Sequence, residues 1–303
     1  MKASAVPAAN KLHALDAGGT VAAGNQRIGI IAGSGSLPAA VADNASRAGH
    51  RPFIIGLAGS AARDIERFPH AYVHIGETGR ILRVLRQGSF TRIVFVGGIR
   101  RPNLFRIKVD PGFFLHLPQL LRLFAGGDDT VMRRVARFFE ERGFEVIGVQ
   151  EVAPNLLAPS GAFSRARPSS EDFNDIRLGL GVTHALGLFD VGQAAVVARS
   201  CVLAVEAAEG TDAMLSRCGE LNKWGIASRR GVLVKRAKPG QDYRLDLPVI
   251  GARTVELAVK AGLTGIAVEA GAVLLADLDV LVEKADKSGL FLWGVAPGEL
   301  TQT

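Results

Sequence analysis

Four carboxylates and two cations in the second half of this chain have the types and spacing to work on a phosphate. Glu209 and Asp212 stand three apart in Glu209-Gly210-Thr211-Asp212, where a turn at Gly210 can aim both at one point. A carboxylate pair held this way suits Mg²⁺, which takes one or two carboxylates and fills its shell with water and substrate phosphate. The same residues also read as a helix start, with Thr211 or Asp212 as its cap. Further on, Asp242, Arg244 and Asp246 alternate with Tyr243, Leu245 and Leu247. If that segment is extended, the three charged residues share one face. They are then a solvated ion-pair ladder, or half of a metal-phosphate site facing Glu209 and Asp212. Lys235 closes an apolar run and adds a second cation. No two histidines pair at ligand spacing, and Cys201 and Cys218 are too far apart for a metal pair. A metal in this inventory is a hard one, Mg²⁺ or Mn²⁺.

These side chains need elements to position them. Val202 to Val205 reads as a strand and Ala213 onward as a helix. Strand, polar loop and helix N-terminus is where an α/β protein presents charge to a ligand. The first half opens with the strand Ile28–Ala32, the turn Gly33-Ser34-Gly35-Ser36-Leu37-Pro38, the helix Ala39–Ala48 and the strand Arg51–Gly56. This βαβ unit offers a phosphate-binding turn at Gly33, Ser34 and Gly35. It is a poor dinucleotide site: Pro38 stands in place of the third glycine, and Phe53–Gly56 ends without an acid for a ribose. The strand Arg92–Val96 ends in Gly97-Gly98, which permits close approach of a ligand to the backbone or makes a tight turn. Arg100 and Arg101 follow, facing a phosphate or water. Asp128 and Asp129 precede the amphipathic helix Thr130–Arg142; they serve its cap and dipole, or hold a metal or a sugar hydroxyl. The apolar stretch Phe113–Phe124 reads as core, or as a contact for acyl chains.

Helix and strand alternate throughout, which predicts two α/β domains with mainly parallel sheets. The expected division is a flexible leader over residues 1–26, a Rossmann-like α/β domain over 27–153, a Pro/Ser-rich linker over 154–170 and a second α/β domain over 171–303. The net charge of +7 suits an anionic partner, either a phosphate-bearing small molecule or an acidic membrane surface. Nucleic acid is disfavoured, because no long basic run occurs and the aromatics are not interleaved with Arg and Lys. No apolar run reaches membrane-spanning length. Both cysteines read as core residues of a protein in a reducing cytoplasm.

Several motifs occur together between Arg27 and Leu290: Gly29 to Gly35 with Leu37-Pro38, Gly127-Asp128-Asp129, Asp190-Val191-Gly192-Gln193 and Glu206 to Leu215. They continue with Gln241-Asp242, Arg244, Asp246-Leu247-Pro248, and Gly251 with Thr254-Val255-Glu256. In combination they resemble the LpxI-type UDP-2,3-diacylglucosamine diphosphatases of lipid A biosynthesis. The resemblance implies Mg²⁺-dependent hydrolysis of UDP-2,3-diacylglucosamine to UMP and 2,3-diacylglucosamine 1-phosphate, on the inner face of the inner membrane. It implies two α/β domains with the substrate between them. Asp246, Asp212, Glu209, Asp242, Lys235 and Arg244 are then the catalytic set, with Asp246, Asp212 and Glu209 on the metal. Asp190, Gln193, Thr211 and Thr254 join Gly33, Ser34, Gly35, Gly97, Gly98, Asp128 and Asp129 on the substrate. A homo-oligomer is left open.

The residue inventory agrees in part. The chain lacks the Asp-x-His and Gly-Asn-His patterns of binuclear metallophosphoesterases and any Nudix-like Glu-rich helix. A carboxylate and Mg²⁺ mechanism is what remains. The competing readings are a nucleotide-sugar or lipid-binding regulator without turnover, and a nicotinamide oxidoreductase, which the incomplete fingerprint opposes.

Overall fold

A computed structural model of the chain describes residues 25–98, 128–221 and 230–299. In its first half, β1 (Arg27–Ala32), β2 (Arg51–Leu57), β3 (His70–Val73), β4 (Arg92–Val96) and β5 (Glu145–Val146) form one parallel sheet. The strand order is β3-β2-β1-β4-β5, so the winding reverses between β1 and β4. Helices α1 (Leu37–Arg47), α2 (Thr78–Gln87) and α3 (Asp128–Glu140) flank the sheet. Alternate residues of β1 serve its two faces. Ile28 and Ile30 pack with Leu37, Val41 and Ala42 of α1, while Ile31 packs with Ile81 and Leu85 of α2. A sheet covered on both faces needs strands that are apolar almost throughout, which is why these read so clearly in the sequence. Pro38 sits in the first turn of α1, where its missing amide costs nothing.

The short helix α4 (Val149–Val152) leads into residues 154–170, the expected linker. This stretch carries its own structure: a 3₁₀ turn at Pro154–Leu156, a bridge from Leu157 to Leu274, and the strand β6 (Gly161–Ala162). Helix α5 (Ser170–Gly187) follows, with Ser169 and Asp172 in a reciprocal capping box.

The second half contains β7 (Ala194–Ala198), β8 (Cys201–Val205), β9 (Val232–Lys235), β10 (Val249–Ile250), β11 (Gly265–Glu269), β12 (Leu274–Leu275) and β13 (Phe291–Val295). Six strands form a sheet in the order β6-β13-β11-β9-β7-β8. Only β9, β11 and β13 run parallel; β6, β7 and β8 pair antiparallel with their neighbours. Two α/β domains are therefore present, but the second sheet is mixed rather than mainly parallel. One of the three antiparallel pairings is the β7–β8 hairpin. Arg199 and Ser200 both adopt left-handed backbone conformations, φ 52 and 59, which match the twist of a tight two-residue hairpin. Buried Asp175 of α5 accepts both of their amide N–H groups, at 3.0 and 2.7 Å.

Helices α6 (Thr211–Leu221), α7 (Ala252–Lys260) and α8 (Leu278–Ser288) cover one face of this sheet, with Met214, Leu215, Val255 and Leu281 packed on Val196, Leu233 and Ile266. Ile176 and Leu180 of α5 cover the other. Cys218 lies in the core as expected; Cys201, on the edge strand, is exposed. Strands β10 and β12 form a separate two-stranded parallel sheet. It joins the halves, because Leu247 and Leu274 share one apolar cluster with Ile30, Val41 and Val149.

Candidate functional site

Lys235 ends β9 and is only 5% exposed. Its ammonium donates to the Thr211 hydroxyl at 2.9 Å and to the Val249 carbonyl at 3.1 Å. The Thr211 hydroxyl, at the first position of α6, donates in turn to Glu206 Oε1 at 2.9 Å. Glu206 follows β8, is equally buried, and takes the Gln193 amide N–H on Oε2 at 3.4 Å. Burial pushes the Lys235 ammonium below its ordinary pKa, against the opposing pull of Glu206, Asp246 and Asp212. All of these groups stand at the carboxyl end of β9, the edge at which open α/β sheets bind ligands. Glu269 ends the neighbouring β11 there. Burial raises its pKa, with Arg236 at 3.6 Å and the Ala237 amide at 3.2 Å acting the other way.

The expected convergence of Glu209 and Asp212 does not occur. Arg217 takes Glu209 at 2.6 Å, and Arg253 takes Asp212 at 2.9 Å. The Glu209 carboxyl is held below its usual range by its own backbone N–H and by Arg217. Neither reading of this loop survives whole: Thr211 turns to Glu206 and Lys235 rather than to the helix amides. Among the described residues, no three His, Cys, Asp or Glu side chains gather into a metal-holding group, so Glu209, Asp212 and Asp246 are not a preformed triad. Asp212 and Asp246 remain, two carboxylates that both act on Lys235. By its chemistry a donor set of two carboxylates suits one hard cation, although Asp212 is paired with Arg253.

The segment from Gln241 to Leu247 is a turn, not a strand. The Asp242 carbonyl accepts from the amides of Leu245 (2.9 Å) and Asp246 (3.3 Å), and its carboxylate accepts from the Arg244 amide at 3.1 Å. Asp side chains bonding the backbone two residues on make such turns, which defeats the strand-like alternation. Leu245 and Leu247 go into the core. Asp246 is exposed and accepts from Gln241 Nε2 at 2.8 Å. Asp242 and Arg244 close on each other at 2.7 Å, and Arg244 also reaches Glu140 of α3 at 2.9 Å. That hydrogen bond holds the Asp242 carboxyl below its usual range and raises the guanidinium. These two residues brace the halves rather than face Lys235.

In the first half, the glycines meet at the winding reversal. Gly33 N–H donates to Val96 O and Ser34 N–H to Gly98 O, both at 2.8 Å, and Ser34 Oγ donates to Gly98 O at 3.0 Å. The phosphate turn thus has two of its amides already engaged; Gly35, at φ 95, faces open space. Gly97 closes against the backbone of Ser34 and Gly33. Asp190, itself at φ 57, pairs with Lys238. Thr254 is buried and takes the Gly251 amide, as part of the α7 cap. Asp128 and Asp129 begin α3, with side chains outside the described residues; Arg100, Arg101 and Phe113–Phe124 lie outside them as well. Glu206 entered the sequence analysis only as the start of the motif Glu206 to Leu215, not as a site residue. The signal for it was a charged residue directly after the apolar run Val202–Val205.

Fold and site together define a two-domain α/β protein with a buried ammonium and carboxylates at the strand ends of its second sheet. The LpxI N-terminal domain model matches residues 27–156, and the LpxI C-terminal domain model matches residues 159–293. The chain belongs to the LpxI family. It is 41% identical over 277 residues to UDP-2,3-diacylglucosamine pyrophosphatase LpxI of Caulobacter vibrioides, covering 90% of this chain and 99% of that protein.

Proposed function

We propose that this chain hydrolyses the pyrophosphate of UDP-2,3-diacylglucosamine, releasing UMP and 2,3-diacylglucosamine 1-phosphate, in lipid A biosynthesis. Membership of the LpxI family and the name of the Caulobacter relative support the reaction. The observation that supports a place for it on the molecule is Lys235, a buried ammonium that feels the charges of Asp212 and Asp246.

In the proposed step a water oxygen attacks one phosphorus, the bridging P–O bond breaks, and the water proton passes to the Asp246 carboxylate. Lys235 faces the phosphate oxygens. Its charge counts for more there than in water, because it stands in a low-dielectric wall. The proposal includes Mg²⁺ or Mn²⁺, held by Asp212 and Asp246; when bound, such an ion neutralises phosphate oxygens and acidifies a coordinated water. Glu209, tied to Arg217 and not among the charges that act on Lys235, is left out of that set; Asp212 would exchange Arg253 for the ion. Nothing in the charge inventory favours the regulator reading over turnover.

The proposal places the protein at the inner face of the inner membrane by peripheral contact. Among the described residues, no helix is long and apolar enough to cross a membrane. The support for contact is the net charge of +7 and one apolar turn, in which Leu188 (64% exposed), Phe189 (79%) and Val191 stand outward. Backbone bonds from Phe189 and Val191 to Leu186 O, and the Asp190–Lys238 pair, fix that turn.

The test is to incubate the protein with UDP-2,3-diacylglucosamine and Mg²⁺ and to look for UMP. Release in proportion to enzyme is expected. Tight binding of the nucleotide-lipid without UMP would leave the regulator reading instead.

A further inference from the structure

An ammonium has three N–H donors. Thr211 and Val249 take two of those on Lys235, and the third has no acceptor among the described residues. A threonine hydroxyl has one O–H, and that of Thr211 goes to Glu206 while its oxygen accepts from Lys235. The chain Lys235–Thr211–Glu206 therefore has one direction, and among the described residues its one spare donor is the third N–H of Lys235. Glu206 is fixed at its far end, with Oε2 on the Gln193 amide and its backbone N–H on Ala194 O. Gly192 lies so close against the Glu206 carbonyl that a side chain there has no room.

The geometry points to Glu206 as a positioning residue: acting through Thr211, it orients Lys235 so that the remaining N–H faces the substrate pyrophosphate. This rests on the hydrolase reading above and extends it to a residue that does not touch substrate. A buried carboxylate two hydrogen bonds from the ammonium fixes the direction of its donors and balances its charge. Thr211 is then part of this relay, not a substrate contact.

Misplacing a group in a preorganised site by about 1 Å costs about 10²-fold in rate. Thr211→Val keeps the shape and cuts the chain, so kcat should fall by about 10²-fold while KM stays within about threefold. Thr211→Ser restores the hydroxyl and should restore kcat to within about threefold of the parent. Glu206→Gln should lower kcat by about tenfold or more, and adding Thr211→Val to it should cost little further, because both break one chain. A readout independent of turnover is the ¹⁵Nζ resonance of Lys235. In the parent, its ammonium protons should exchange slowly; in Thr211→Val and Glu206→Gln they should exchange fast.

A folded Thr211→Val protein with parental kcat, or with slow ammonium exchange retained, overturns the inference. So does Thr211→Ser as slow as Thr211→Val. Should Thr211→Val not fold, Glu206→Gln and Thr211→Ser decide by the same measures. A parent that releases no UMP overturns the hydrolase reading, while ammonium exchange still decides whether Glu206 and Thr211 hold Lys235.

Discussion

Arg244 closes on Asp242 at 2.7 Å, two residues away, and with the same guanidinium reaches Glu140 in the other half of the molecule at 2.9 Å. The pair therefore works between the domains. Charge-assisted hydrogen bonds contribute about 1.5–3 kcal/mol each, less where partly exposed, so Arg244→Met should cost about 1–2 kcal/mol. Urea denaturation gives that number. Turnover of the folded variant should drop far less than that of a Lys235 variant.

The same pair makes stability depend on pH. The Asp242 carboxyl is held low in the folded protein by Arg244. Its contribution is thus full above the unfolded carboxyl pKa of about 4 and is lost as pH falls through the lower folded value. The stability gap between the parent and Asp242→Asn should be flat from about pH 5 to 8 and should shrink below about pH 4. Denaturation curves at four or five pH values check this.

Lys235 and Glu206 are a buried pair of opposite charge joined through one hydroxyl. Removing one partner of such a pair leaves an uncompensated charge and costs about 3–5 kcal/mol. Lys235→Met should be destabilised to about that extent, and adding Glu206→Gln should recover part of the loss. Thermal or urea unfolding of the two variants distinguishes this from an additive outcome.

Gly33 and Gly35 look alike in the sequence but differ in their surroundings. A Cβ on Gly33 would stand 2.7 Å from Gly97 O and closer still to Gly98 O, both backbone atoms that cannot turn aside. On Gly35 it would meet open space, at φ 95. Gly33→Ala should cost about 3 kcal/mol by overpacking, Gly35→Ala about 1–2 kcal/mol through backbone strain alone. Reversal of that order in denaturation experiments would contradict the close packing of the two glycine pairs.

The exposed Phe189 side chain is the best single probe of membrane contact. Burying a Phe is worth about 1.5–3 kcal/mol, so Phe189→Ser should weaken binding to phosphatidylglycerol vesicles by about tenfold or more. Sedimentation with vesicles measures it. Unchanged binding by the variant, or a parent that does not bind, would remove this turn from the proposal.

The first sheet was legible because its strands are buried on both faces and read as unbroken apolar runs. The hairpin of β7 and β8 was not: Arg199 and Ser200 carry no glycine or asparagine signal, and the group that stabilises their left-handed turn, Asp175, lies 24 residues upstream of Arg199. The alternation from Asp242 to Leu247 suggested a strand because its period is 2, yet one side-chain hydrogen bond to the Arg244 amide turns the chain. Lys235, Asp212 and Asp246 were named as candidates from residue type and spacing, and Thr211 from the family resemblance. Which of them meet was not legible, since Arg217 and Arg253 decide where Glu209 and Asp212 point, and no local pattern encodes those partners.

The most direct test of the central claim uses Asp246→Asn, which keeps the side-chain shape and removes the charge beside Lys235. On one preparation, substrate affinity, thermal stability and single-turnover release of UMP with Mg²⁺ are measured against the parent. The account predicts near-parental affinity and stability with turnover lowered by about 10²-fold or more. A folded Asp246→Asn protein that releases UMP within about threefold of the parental rate, below the general-base range, would contradict it.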